Sequence, residues 1–147
     1  MVSKPILDKK LIKVGLESKT KGEALEMGGK LLVKGGYVTE EYINHMKERE
    51  KQMSTFAANG LAIPHGTEEA KENIKHSGIS VLQFPKGIDY GGGNTAYLVV
   101  SIAGKKDEHL SILKNLATLC QEEEKINQLV AADKEEIYNK LSAIEGE

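Results

Sequence analysis

The sequence predicts an α/β fold, a sandwich of strands and helices forming one domain over residues 1–147. Two patterns carry that expectation. Apolar runs of strand character stand at residues 11–16, 61–63, 79–84 and 96–103, while residues 20–34, 39–50 and the C-terminal third place apolar side chains at helical spacing. The order strand, helices, strands, helices is that of elements sharing one core. No linker, internal repeat or low-complexity stretch divides the chain, and 147 residues suffice to bury about two-thirds of the unfolded surface without staples.

Leu11-Ile12-Lys13-Val14-Gly15-Leu16 alternates apolar and polar residues, as a half-buried strand does. Thr20-Lys21-Gly22-Glu23 matches a capping box, with Thr20 as cap and Glu23 reaching back. The helix so opened turns Ala24, Met27, Leu31 and Leu32 inward and ends at Gly35-Gly36. Gly28-Gly29 inside it costs about 1 kcal/mol per glycine relative to alanine, which points to close packing there. Thr39 is expected to cap a second helix, with Tyr42, Ile43 and Met46 as its apolar contacts and His45 and Arg49 sharing a face.

Residues 52–59 lack a period and read as a loop leading into the strand at 61–63, which Pro64 ends. Residues 67–74 suggest a short helix. A strand at 79–84 is expected to break at Pro85-Lys86-Gly87. After the flexible turn Tyr90-Gly91-Gly92-Gly93-Asn94, the nearly continuous apolar run at 96–103 reads as the central strand. Leu110, Leu113, Leu116, Ala117 and Cys120 form a helical stripe. Two shorter helices follow at 123–132 and 134–144, the last capped by Asp133 with Glu136 three residues on.

Composition narrows the function. With 39% hydrophobic and 29% charged residues the chain resembles an ordinary soluble domain. A formal charge of −2 leaves no basic footprint for nucleic acid or anionic lipid. No apolar run approaches the roughly 18 residues of a membrane span, and Met1-Val2-Ser3-Lys4-Pro5 lacks the apolar core of a signal peptide. Cys120 is the single cysteine, so no internal disulfide forms, and a cytoplasmic setting is expected.

The residue that stands out is His65, in Asn59-Gly60-Leu61-Ala62-Ile63-Pro64-His65-Gly66-Thr67. It follows a strand end, where functional side chains of α/β sheets gather, and histidine is a nucleophile near neutral pH. Taken alone, a histidine beside a Pro-Gly turn is more often a half-buried turn residue. His109, in Asp107-Glu108-His109-Leu110, falls in the first turn of a helix, where backbone N–H groups attract anions and the dipole opposes protonation. A neutral His109 could donate to a nearby anion; its plainer reading is a surface residue. Arg49, the only arginine, lies in the mixed-charge run Glu48-Arg49-Glu50-Lys51, normally a solvated helix face, yet its guanidinium suits phosphate oxygens. Together the three describe a phosphohistidine site.

Other motifs carry less. The glycine pairs and triplet fit neither phosphate-loop pattern. There is no H-E-x-x-H or C-x-x-C, so neither a metal nor another cofactor is expected. His45 and His76 read as surface residues, Cys120 as core filler.

The segment from Tyr42 to Gly66, with Arg49-Glu50, Ser54-Thr55 and Gly60-Leu61-Ala62-Ile63-Pro64-His65-Gly66, resembles the phosphohistidine region of mannitol/fructose-type enzyme IIA proteins. These belong to the bacterial phosphoenolpyruvate-dependent sugar phosphotransferase system. Val99 to Leu116, with Glu108-His109-Leu110, resembles that family's second-histidine helix. Lys34-Gly35-Gly36-Tyr37-Val38 and Pro64-His65-Gly66-Thr67 leading to Glu69-Ala70-Lys71 lean toward the mannitol branch, as does Ala57-Ala58 where other branches often carry glycine. The resemblance implies a mixed sheet flanked by helices. It implies that His65 accepts phosphate from the histidine-containing phosphocarrier protein and passes it to a cysteine of enzyme IIB, with His109 and Arg49 stabilising the phosphoryl group. Contact with the membrane would then be indirect, through the IIC permease, and the chain a diffusible IIA protein. An apolar rim including Phe56 and Leu61 is expected to keep water from His65. Two other readings stay open: a regulatory module controlled by His65 phosphorylation, and a metal-dependent hydrolase using both histidines.

Overall fold

The computed structural model describes residues 5–142. Strands β1 (Ile12–Lys13), β2 (Phe56–Ala58), β3 (Leu61–Ala62), β4 (Gly78–Gly91) and β5 (Asn94–Ala103) form one mixed sheet in the order β1-β4-β5-β3-β2. β1 runs parallel to β4 and β3 parallel to β5, while β4–β5 and β2–β3 are antiparallel. The apolar run of β5 therefore sits in the middle of the sheet, as its composition requires.

Helices α1 (Lys21–Lys34), α2 (Glu41–Gln52), α3 (Lys106–Cys120), α4 (Glu123–Val130) and α5 (Lys134–Ser142) complete the fold. Because strand side chains alternate faces, β4 reports where two of them lie. Ser80 Oγ donates to the Gly28 carbonyl of α1 at 2.9 Å. Gln83 Nε2, on the other face, donates to the Leu129 and Ala132 carbonyls at the end of α4, at 2.9 and 2.8 Å. Helices thus cover both faces of the sheet.

The α1 capping box forms as expected, with Glu23 N to Thr20 Oγ1 at 3.1 Å and Thr20 N to Glu23 Oε1 at 2.9 Å. Its end is a Schellman motif: Gly36 at φ 83° donates to Val33, and Tyr37 donates to Leu32. The glycine pair inside α1 is a contact surface. A Cβ on Gly28 would lie 2.3 Å from Ser101 Oγ, and one on Gly29 would lie 2.7 Å from Ile43 Cγ1. The Asp133 cap is present too, with its Oδ1 accepting from Glu136 N at 2.9 Å. Ile144, expected in the last helix, lies outside the described residues.

Several expectations are corrected. The first strand shrinks to Ile12–Lys13, because a 3-10 turn occupies Lys9–Leu11 and Gly15 takes φ 62°. Thr39 does not cap α2 with its side chain; its hydroxyl donates to Asn73 Oδ1 at 2.7 Å. The supposed loop at 52–59 contains edge strand β2, too short to show a period and defined by its partner β3. Pro85 does not end β4. It is exposed beside a register shift between Gln83 and Ile88, where no ladder N–H is needed. On α3 the buried positions are Ile112, Leu116 and Cys120, while Leu110 and Ala117 face outward.

Candidate active site

Just beyond β3, His65 continues the sheet by one more parallel bridge, to Ile102 of β5, whose N–H donates to the Pro64 carbonyl at 2.8 Å. The His65 ring then turns back on its own chain, placing Nδ1 2.9 Å from the Ile63 carbonyl oxygen. A carbonyl only accepts, so Nδ1 carries the proton and Nε2 keeps its lone pair. Burial lowers the His65 pKa and the Arg49 charge lowers it further, against the opposing pull of the Ile63 carbonyl. His65 is therefore a neutral base with one committed nitrogen and one available.

His109 meets it from the first turn of α3. The two rings stand 5.2 Å apart between centroids, edge to face at 64°. Burial first, then His65 and Lys71, bring the His109 pKa down to about 4. A neutral imidazole retains one N–H to offer an anion.

Both rings line a cleft of about 260 Å³, and Arg49 of α2 lines it as well. Spacing could not show that these three residues meet; the fold brings them together. Arg49 Nη1 donates to the Met53 carbonyl at 2.8 Å, committing one of its N–H groups at the end of α2. Its neighbour Glu50 departs from the solvated face expected of this run. That side chain is only 6% exposed, ion-paired with Lys21 at 2.9 Å, and accepts from Thr55 N and Thr55 Oγ1 at 2.9 and 2.6 Å. Burial would lift the Glu50 carboxyl, but the hydrogen bonds from Thr55 and Lys21 outweigh it and hold the group ionised.

Three contributors escaped the sequence reading. Lys71 lines the cleft from the 3-10 turn Glu68–Asn73 and adds a second cation, with exposed Glu68 and Glu69 at the same place. His45, read as a surface residue, shares a 3.1 Å hydrogen bond with buried Thr67 Oγ1, two residues after His65. Tyr42, read as an apolar contact, places its hydroxyl between two strands: it accepts from Gly66 N at 2.9 Å and donates to the Ile102 carbonyl at 2.7 Å. Only Tyr42 gave a usable signal, since a buried tyrosine hydroxyl requires partners. Phe56 and Leu61 are not at the rim. Leu61 is buried in the core and Phe56 packs on Tyr90 at 6.2 Å. Among the described residues no group of three His, Cys, Asp or Glu could hold a metal ion, and no helix is long and apolar enough to cross a membrane.

A neutral nucleophilic nitrogen, a neutral ring donor and two cations around a small polar cleft can hold a phosphoryl group in transit, a task of positioning and charge stabilisation. Comparison with known proteins points the same way. The sequence profile of the phosphoenolpyruvate-dependent sugar phosphotransferase system, EIIA 2, matches residues 5–144. A mannitol-specific phosphotransferase enzyme IIA component from Bacillus subtilis (strain 168) is 50% identical over 141 residues, covering 93% of this chain and 99% of its own. The crystal structure of IIA mannitol from Escherichia coli superposes with a TM-score of 0.83 at 34% identity, over 92% of this chain and 97% of that one. The NMR structure of the complex of enzyme IIAMTL with phosphorylated enzyme IIBMTL from Escherichia coli gives 0.84 at 33% identity, over 93% and 98%. The α/β architecture, the histidine pair in its cleft and these matches agree, and the chain belongs to the EIIA 2 family of phosphoenolpyruvate-dependent sugar phosphotransferase components.

Proposed function

We propose that residues 1–147 act as one cytoplasmic, mannitol-specific IIA component, in which His65 Nε2 carries the phosphoryl group between the phosphocarrier protein and enzyme IIB. The observation that carries this reading is the Nδ1–Ile63 hydrogen bond of 2.9 Å, which leaves Nε2 as the free base of the pair. In the first half-reaction the Nε2 lone pair attacks phosphorus. A P–N bond forms as that of the carrier's phosphohistidine breaks, its electron pair returning to the carrier's imidazole. In the second, a IIB thiolate attacks the same phosphorus and the electron pair of the breaking bond returns to Nε2. With Nδ1 still protonated, the phosphorylated ring is cationic. The Ile63 carbonyl stabilises it and keeps the ring a good leaving group. His109 and Arg49, with Lys71 beside them, face the phosphoryl oxygens.

Two exposed apolar side chains suit protein partners. Met53 and Leu110 are 69% and 65% exposed, and they adjoin site groups: the Met53 carbonyl holds Arg49, and Leu110 follows His109. Exposed apolar side chains that neighbour site groups in the chain fit brief docking through a modest interface. The mannitol assignment rests on the names of relatives at about half identity.

The test is incubation with phosphoenolpyruvate, enzyme I and the phosphocarrier, followed by NMR of the labelled imidazoles. The expected product is one acid-labile phosphoryl on His65 Nε2, absent in His65→Ala, that moves on to mannitol through mannitol IIB and IIC. Phosphorylation of His65→Ala, or label on Nδ1, refutes the assignment.

A further inference from the structure

We propose that Gly104, backed by Ser77, is a positioning residue that sets where His109 stands against His65. The inference rests on the functional reading above and extends it to Gly104, a backbone position in the lining of the same cleft.

Gly104 lies between the end of β5 and the start of α3. A Cβ built there would fall 2.4 Å from His109 Cα, 2.6 Å from His109 Cβ and 2.9 Å from His109 N. Two of these three atoms are backbone, so no change of rotamer relieves the clash. Restoring ordinary contact requires α3 to withdraw by about 1 Å. The glycine is not there for its backbone freedom, because the left-handed region is not used at this position. Close approach alone explains it. The absence of a side chain lets the first turn of α3 fold back onto the strand end, only two residues beyond the Ile102 that bridges to His65.

Ser77 closes the same turn from outside. It is buried, its Oγ accepts from Lys105 N at 2.9 Å, and it donates to the Glu108 carboxylate through a short hydrogen bond. α3 has no side-chain cap of its own at Lys105; Ser77 Oγ stands between the Lys105 N–H and the Glu108 carboxylate and relays the contact that the N3 side chain of a capping box makes directly to the N-cap N–H. With Gly104 below and Ser77 beside it, the turn that delivers His109 is held on two sides. The ring ends 5.2 Å from its partner.

The experiment is a double-mutant cycle read on phosphoryl transfer from phosphorylated protein to IIB. Gly104→Ala is expected to slow transfer by ~10²-fold, the effect of a misplacement of about 1 Å, comparable with the ~10²–10³ for removal of one preorganised donor in His109→Ala. In the His109→Ala background, Gly104→Ala should add nothing, because there is no ring left to misplace. Imidazole resonances should shift for His109 and for the His65 ring that faces it, while the Nδ1-protonated tautomer of His65 is kept. Wild-type transfer by Gly104→Ala, or a double variant slowed by the full product of the two single effects, overturns the proposal. Should Gly104→Ala fail to fold, Ser77→Ala reports on the same turn: slowing that vanishes without His109 supports the role, and equal slowing in both backgrounds overturns it. Wild-type protein that takes no phosphoryl on His65 overturns the functional reading, and this one with it. Active wild type with an equally active Gly104→Ala overturns only the role of Gly104.

Discussion

Tyr42→Phe removes one oxygen atom and should disturb the site more than its position suggests. The Tyr42 side chain is 1% exposed, and burial pushes its pKa up to about 12, so the hydroxyl remains a donor throughout the physiological range. It stands where a continuous parallel ladder would join Gly66 N–H to Ile102 C=O directly, bonding both at 2.9 and 2.7 Å. Phenylalanine keeps the packing but strips both backbone groups of this partner. Each neutral hydrogen bond contributes about 1 kcal/mol net, so a loss of about 2 kcal/mol is expected. In a chain of this size that lowers Tm by roughly 4–8 °C. Urea unfolding of the unphosphorylated protein measures the loss, and hydrogen exchange locates it, since Gly66 N–H should exchange faster while amides of α5 do not. A midpoint within ~0.5 kcal/mol of wild type together with unchanged Gly66 exchange would refute the reasoning.

Arg49→Lys keeps the charge but loses the planar fork, so transfer should fall nearly as far as in Arg49→Ala; full activity in single-turnover transfer would reduce Arg49 to a diffuse field. His109 has a folded pKa of about 4, below its unfolded value of about 6.5. The folded state therefore binds fewer protons between those values, and the contribution of His109 to stability is complete above about pH 6.5 and lost as the pH falls toward 4. Urea midpoints at pH 7 and 4.5 should thus fall further in wild type than in His109→Gln. Phosphorylation of His65 places a negative group beside this ring and should raise its pKa, as an NMR titration of both forms would reveal. Gly28→Ala drives a methyl to 2.3 Å from Ser101 Oγ and should cost about 1–3 kcal/mol. Because Ser101 Oγ is buried without a hydrogen-bond partner, Ser101→Ala should be close to neutral alone and should recover much of that loss by denaturant midpoint.

What was legible in the sequence was whatever is local. The α1 capping box needs only Thr20 and Glu23 three residues apart, and the Gly35-Gly36 stop needs only a residue free to take positive φ. β5 announced itself by an apolar run too continuous for an edge. Thr39, β2 and Pro85 were misread because their states are decided by distant partners: Asn73 draws the Thr39 hydroxyl, β3 creates β2, and a bulge against β5 excuses Pro85 from the ladder. The site divides the same way. His65, His109 and Arg49 were suggested by residue type and local setting, but their convergence depends on β3 and β5 lying side by side. The roles of His45, Lys71 and the Tyr42 hydroxyl arise only across such junctions, and no spacing in the chain encodes them.

The geometry of β5 also determines where the protein can be handled. Its last residues hold both histidines, through the Ile102 bridge on one side and the turn at Gly104 on the other. Its first residue, Asn94, follows the glycine turn Gly91-Gly92-Gly93, where all three residues take positive φ and none but Gly92 has a neighbour within 4 Å of a built Cβ. Ten strand residues at about 3.3 Å each separate the two ends by roughly 30 Å. A dye, an affinity tag or a surface tether inserted at that turn would therefore report on the protein, or immobilise it, while the cleft at the opposite end stays open.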